Sequence, residues 1–207
     1  MNTLNPASTA LLVVHLQDDI VSPGTALGSL FSPEVRSRNI LAKCYSAMAA
    51  IRGAGGLVVP LRLAFASDYS DLDPTVPLLQ LAKEAGCLKE GSEGSAIVPE
   101  IAVLDTDIVV THKLPGPFSS SLLNDVLKSR GIENVVVCGV ATNASVEAAV
   151  RQAADLGYKT YVLSDATSAA SEAAHQASVA SMTLFARVMT LPRLKASLLT
   201  VADESKQ

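Results

Sequence analysis

One alternation restricts the fold more than any other feature of the chain. Runs apolar at almost every position, at residues 11–15 (LLVVH), 57–63, 107–111 (DIVVT), 134–139 (NVVVCG), 158–163 and 187–190, take turns with segments of helical period. A strand apolar at both odd and even positions has no face to offer water, so both faces must be covered by other elements. Strands alternating with helices imply right-handed βαβ units and a parallel sheet. The reading is therefore a doubly wound, three-layer α/β/α domain with a six-stranded parallel sheet, one domain over residues 1–207. Composition agrees: hydrophobic residues make up 49% and aromatics only 4%, with no Trp, so the core is built from Ala, Val and Leu.

The helical segments carry their own punctuation. Ser32, Pro33 and Glu34 supply an N-cap, a first-turn proline and a first-turn acid. From there Ile40, Leu41, Cys44, Met48 and Ile51 keep a helical period until the glycines at 53–56. A polar excursion spans 64–99, with a short helix near 78–85. Leu122, Leu123, Val126 and Leu127 share a face over 119–129. A further helix starts near Asn143 and carries Val146, Ala149, Val150 and Ala153 to a stop at Gly157. The last helix covers 171–182.

Charge and cysteine usage exclude several classes. The net charge of −4 and the lack of a Lys/Arg run argue against a nucleic-acid surface. No apolar stretch is long enough to span a membrane, and residues 1–10 lack the basic flank and apolar stretch of a signal peptide. Three widely spaced cysteines without a CxxC pair fit reduced thiols in a cytoplasmic protein. Cys138 is expected to be buried and inert. A reactive role for Cys87 is outweighed by a neutral one. Asp105 and Asp107, just before a strand, read as solvated.

In doubly wound sheets the site lies outside the carboxyl ends of the strands. That rule selects His15 with the following QDD, the loop from His112 to Phe118, and the turn from Gly139 to Ser145. In these places the chain resembles the isochorismatase-like (cysteine hydrolase) family. LVVHLQDDI, residues 12–20, is similar to the family's first strand, VIDMQND. HKLPGPFSSSLLNDVL, from 112, stands where the family has K-x-x-x-S-x-F and a helix. GVATNASVEAAVRQAADLGY, 139–158, follows GVxTNxCVExTxRxAxxxGY.

The resemblance implies a base at the end of the first strand, a lysine near it, and a cysteine nucleophile at the start of the late helix. Here those positions hold His15, His112 or Lys113, and Ser145. Counting back from Phe118 gives His112 for the lysine position. Neighbours on a strand face opposite ways, so only one of His112 and Lys113 points inward. The resemblance further implies a non-proline cis peptide between Val140 and Ala141, aiming the Ala141 N–H at a substrate oxygen as part of an oxyanion hole. Gln17, Lys113, Phe118 and Asn143 are expected substrate contacts, and a homo-oligomer is expected because the family associates.

A serine hydroxyl needs a base to take its proton. An imidazole, with an unperturbed pKa of about 6.5, is suited to that work, and Asp18 or Asp19 would hold its tautomer. Alternatively an imidazolium would protonate a vinyl ether. The expectation is hydrolysis of a small metabolite at a C–N amide, ester or vinyl-ether bond by His15, His112 and Ser145, without cofactor. Against it stands a non-catalytic small-molecule binder or oligomeric scaffold. Histidines are often satisfied core or surface residues: His175, on a helix rich in Ala and Ser, reads as surface. Two imidazoles with Asp18 or Asp19 would also suit a metal. That reading is secondary, because the Asp-x-His segment of the family's metal-binding members is replaced by LAFASDYSD.

Overall fold

The computed structural model describes residues 3–204. Its strands are β1 (Thr9–Val14), β2 (Leu57–Leu63), β3 (Val110–His112), β4 (Asn134–Val140), β5 (Lys159–Ser168) and β6 (Arg187–Met189). They form one sheet of six parallel strands in the order β3-β2-β1-β4-β5-β6. The helices are α1 (Asp18–Val21), α2 (Gly28–Ser37), α3 (Ile40–Gly53), α4 (Pro77–Glu84), α5 (Leu123–Ser129), α6 (Glu147–Asp155), α7 (Glu172–Met182) and α8 (Leu191–Glu204).

Every residue of β1 and β4 is buried, because both lie inside the sheet with helices over both faces. Leu11 and Val13 face one layer, where Cys44, Met48 and Ile51 of α3 and Leu194 of α8 cover them. Leu12 and Val14 face the other, against Leu123 and Leu127 of α5 and Ala149, Val150 and Ala153 of α6. Each such aliphatic side chain contributes roughly 1.5–3 kcal/mol by leaving water. The chain runs outward from β1 through β2 to β3, then returns to β4 on the other side of β1. This reversal opens a crevice between the carboxyl ends of β1 and β4, the place where such sheets bind ligands.

Several local expectations change. The helix expected from Ser32 to Ile51 is two helices. α2 begins at Gly28 and contains Pro33, and the chain breaks after Arg38, where Asn39 adopts a left-handed φ of 55°. Asparagine tolerates that conformation better than most residues. β3 starts at Val110 rather than 107 because Asp107 is drawn away. Its carboxylate, only 1% exposed rather than solvated, pairs with Arg52 and accepts from the Leu104 N–H at 2.9 Å. α5 starts at Leu123 rather than 119 because the preceding serines bond locally, the Ser120 hydroxyl accepting from the Lys113 and Leu114 N–H groups at 3.0 and 3.1 Å. β5 runs on to Ser168, and α8 follows the last strand. Among the described residues no helix is long and apolar enough to cross a membrane.

Candidate active site

The site is built from the ends of β1, β3 and β4. Just past β1, His15 takes a left-handed φ of 50° while its N–H donates to the Leu61 carbonyl at 3.0 Å. A non-glycine residue in that conformation costs about 1–2 kcal/mol, a strain that recurs at functional positions. The turn carries the His15 ring across the end of β2 to His112, the last residue of β3. The two Nε2 atoms lie 2.8 Å apart, with the ring planes within 24° of each other.

The partners of His112 decide where the protons sit. Its Nδ1 is 2.7 Å from the Leu114 carbonyl, which only accepts, so Nδ1 carries a proton. In the neutral ring Nε2 is then bare and accepts from His15. His15 therefore donates through Nε2–H, and its Nδ1 keeps a free lone pair. Burial, with the His112 ring beside it, holds His15 well below the usual imidazole range. Burial takes His112 down to about 4. Both rings are thus neutral at pH 7, which removes the imidazolium acid; the same burial lowers the basicity of His15, so any proton it takes must be supported by a partner at Nε2. The expected aspartates do not orient either ring. Asp19 instead accepts the Leu88 N–H at 2.8 Å, and the Leu114 carbonyl does the orienting.

Beyond β4 the chain enters the crevice. Gly139 has a φ of +112°, and a Cβ there would lie 2.2 Å from the Val14 carbonyl oxygen, so only glycine lets β4 approach β1 this closely. The Val140–Ala141 peptide is cis, and a π-helical turn, Thr142–Val146, leads into α6. Ala141, Ser145 and His15 line one cavity of about 40 Å³, otherwise walled by aliphatic and aromatic side chains. These include Leu27 and Phe31 from the α2 side and Leu78, Leu79 and Ala82 of α4. Three polar groups around it lack partners among the described residues: the His15 Nδ1, the Ser145 hydroxyl and the Ala141 N–H. Ser145 makes no hydrogen bond to either imidazole. A hollow of about 810 Å³ at the amino ends of the strands, bordered by Glu133, Asn134 and Lys159, is larger, more open and more polar.

The other expected contacts point elsewhere. Gln17 is buried, but its amide is spent on backbone: it donates to the Leu63 and Ser95 carbonyls at 2.7 and 2.8 Å and accepts from the Leu63 N–H. Lys113 turns away from the cavity to pair with Asp71 at 2.7 Å and bond the Ala64 carbonyl, so His112 is the inward residue of the two. Phe118 packs against Tyr158 in the opposite layer, and Asn143 is exposed. Cys87 is buried, with its thiol pushed up to about 11 by that burial and by Asp19; Cys138 is wholly buried. Among the described residues no group of three or more His, Cys, Asp or Glu is placed to hold a metal ion.

Sequence reasoning missed one group beside the site. His175, expected on the surface, is 1% exposed. It meets the Thr142 hydroxyl at 2.9 Å and the Arg38 guanidinium at 2.8 Å. The N-cap at Ser171 was the only local signal on this helix, and it says nothing about which face is buried.

Known proteins share this arrangement of elements. The isochorismatase domain model matches residues 9–193. The isochorismatase family protein YwoC of Bacillus subtilis (strain 168) is 31% identical over 181 residues, 86% of this chain and 88% of that protein. The crystal structure of a cysteine hydrolase from Pseudomonas syringae pv. phaseolicola 1448A superimposes with a TM-score of 0.87 at 24% identity, covering 96% of this chain and 95% of that one. An isochorismatase family protein from Burkholderia thailandensis gives 0.76 at 28% identity, over 96% and 98%. With a matching domain model along nearly its whole length and the strand order and crevice already described, this chain belongs to the isochorismatase family.

Proposed function

We propose that the chain is a hydrolase that cleaves an amide or ester bond in a small, uncharged metabolite. The observation that carries this reading is the set of three unpartnered polar groups, an acceptor, a hydroxyl and an N–H donor, around one apolar cavity. Acyl transfer needs these three: a base, a nucleophile and a donor for the developing oxyanion.

In the proposed step His15 Nδ1 takes the hydroxyl proton as Ser145 Oγ bonds to the substrate carbonyl carbon. The carbonyl oxygen gains the electron pair and is met by the Ala141 N–H. His15 then returns the proton to the departing amine or alcohol as its bond to carbon breaks. Water repeats the sequence in reverse and frees the acid. His112 supports the proton on His15 by accepting from Nε2–H throughout. The neutral pair favours this acyl chemistry over protonation of a vinyl ether. The cavity wall carries no charged side chain, so a carboxylate or ammonium on the substrate would lose its hydration without recompense.

A panel of small uncharged esters and amides tests the reading, with mass spectrometry of the quenched protein. An acyl adduct on Ser145 supports it; turnover undiminished in Ser145→Ala removes the nucleophile from the scheme. One observation favours a second reading, a binder without turnover: about 40 Å³ holds a few water molecules, against roughly 300–1,000 Å³ for typical ligand sites. Thermal stabilisation by panel members with no product would select that reading.

A further inference from the structure

The turn that carries Ala141 and Ser145 is held from behind by a chain of side chains that takes no part in the chemistry above. Arg38, at the break between α2 and α3, donates to the Ser164 carbonyl at 3.0 Å and the Thr167 carbonyl at 3.3 Å near the end of β5, and pairs with Glu172 of α7 at 2.5 Å. The same guanidinium faces His175 Nε2 at 2.8 Å. Arginine only donates, so Nε2 must be the bare acceptor. The proton of the neutral ring is then on Nδ1, and it is donated to the Thr142 hydroxyl at 2.9 Å. One turn further along α7, the Ser178 hydroxyl lies 3.0 Å from the Thr142 carbonyl and 2.5 Å from a Glu147 carboxylate oxygen, and Arg151 holds that carboxylate at 2.7 Å. Thr142 is thus gripped at its side chain, with the Ser178 proton shared between its carbonyl and the nearer Glu147 carboxylate, one residue after Ala141 and three before Ser145.

We infer that His175 is a positioning residue, fixing through Thr142 the turn that presents the Ala141 N–H and the Ser145 hydroxyl to the cavity; this rests on the hydrolytic reading above. The ring works only in one tautomer. A proton on Nε2 would meet the Arg38 guanidinium, and burial with that neighbouring charge lowers the basicity of His175, while Glu172 and the Ser164 carbonyl oppose the effect. The grip is therefore complete at neutral pH.

The two ring nitrogens can be mimicked separately. In His175→Asn the side-chain amide places an N–H near the position of Nδ1. In His175→Gln the longer side chain places its oxygen near the position of Nε2 instead. The full-length protein, labelled with nitrogen-15, is compared as wild type, His175→Asn, His175→Gln and His175→Ala, with melting temperatures recorded for each. The Ala141 and Ser145 amide signals should stay near their wild-type positions in His175→Asn and move in the other two. With 4-nitrophenyl acetate as probe, kcat should fall about 10- to 100-fold in His175→Gln and His175→Ala, with KM within about twofold, and return most of the way in His175→Asn. Identical behaviour of the Asn and Gln variants, or unmoved Ala141 and Ser145 signals, overturns the inference. If His175→Ala fails to fold, the Asn–Gln comparison still decides. If wild type leaves the ester intact, the hydrolytic reading loses this support, and the amide signals alone judge the positioning role.

Discussion

At the scale of residues, the paired imidazoles dominate what can be measured. His15→Ala removes the free ring nitrogen at the cavity, and hydrolysis should drop by about 10²- to 10⁴-fold, the usual worth of a general base. Undiminished turnover would take His15 out of the mechanism. Stability should also follow the pair. Both rings bind protons less readily when folded than when unfolded, so the unfolded chain takes up more protons as pH falls. Their contribution is complete above pH 6.5 and is lost as pH drops toward the folded value of about 4 for His112, which alone corresponds to about 3 kcal/mol. Urea midpoints should fall steeply between pH 6.5 and 4 in wild type and less steeply in His112→Gln; equal slopes would contradict the assignment. These two histidines were legible because each ends a strand or opens a loop at the carboxyl edge of the sheet. His175 was not. Ala173, Ala174 and Ala177 surround it with small residues, so the helix shows no contrast between an inner and an outer face. Gln17 and Asn143 misled for a related reason: sequence placed them beside the site, but the direction of a side chain is set by neighbours remote in the chain.

At the scale of elements, the approach of β4 to β1 depends on one position. Gly139→Ala places a methyl group against the Val14 backbone and asks a side-chain-bearing residue to hold a φ of +112°, so it should cost more than about 2 kcal/mol and displace the following turn. Thermal denaturation checks the first effect and the Ala141 amide signal the second. An unchanged midpoint would show that the two strands can separate slightly at no cost. Element boundaries were legible where the apolar period was uninterrupted, as in β2 and β4. They were lost where polar side chains competed with the backbone. The late start of β3 beside Asp107 and the serines before α5 fall in such stretches, whereas the break after Arg38 rests on the left-handed backbone of Asn39. α8 was not expected; its Pro192, at the second helical position, gives up no intrahelical bond.

At the scale of the whole molecule, the layers were legible and the strand order was not. Strands apolar on both faces require cover on both sides, so the three layers followed from the alternation alone. Nothing in that alternation says that β4 returns beside β1, and this return is what brings residues 15, 112 and 145 to one edge. The size of the hollow that residues 15 and 145 line has a kinetic consequence. A guest larger than a few solvent molecules is expected to enter only when part of the wall that includes Leu78, Leu79 and Ala82 moves outward. Stopped-flow mixing with a tight-binding guest should give an observed rate that levels off as concentration rises, the plateau marking how often the wall yields. A rate climbing linearly toward the diffusional ceiling would mean that the doorway already stands open.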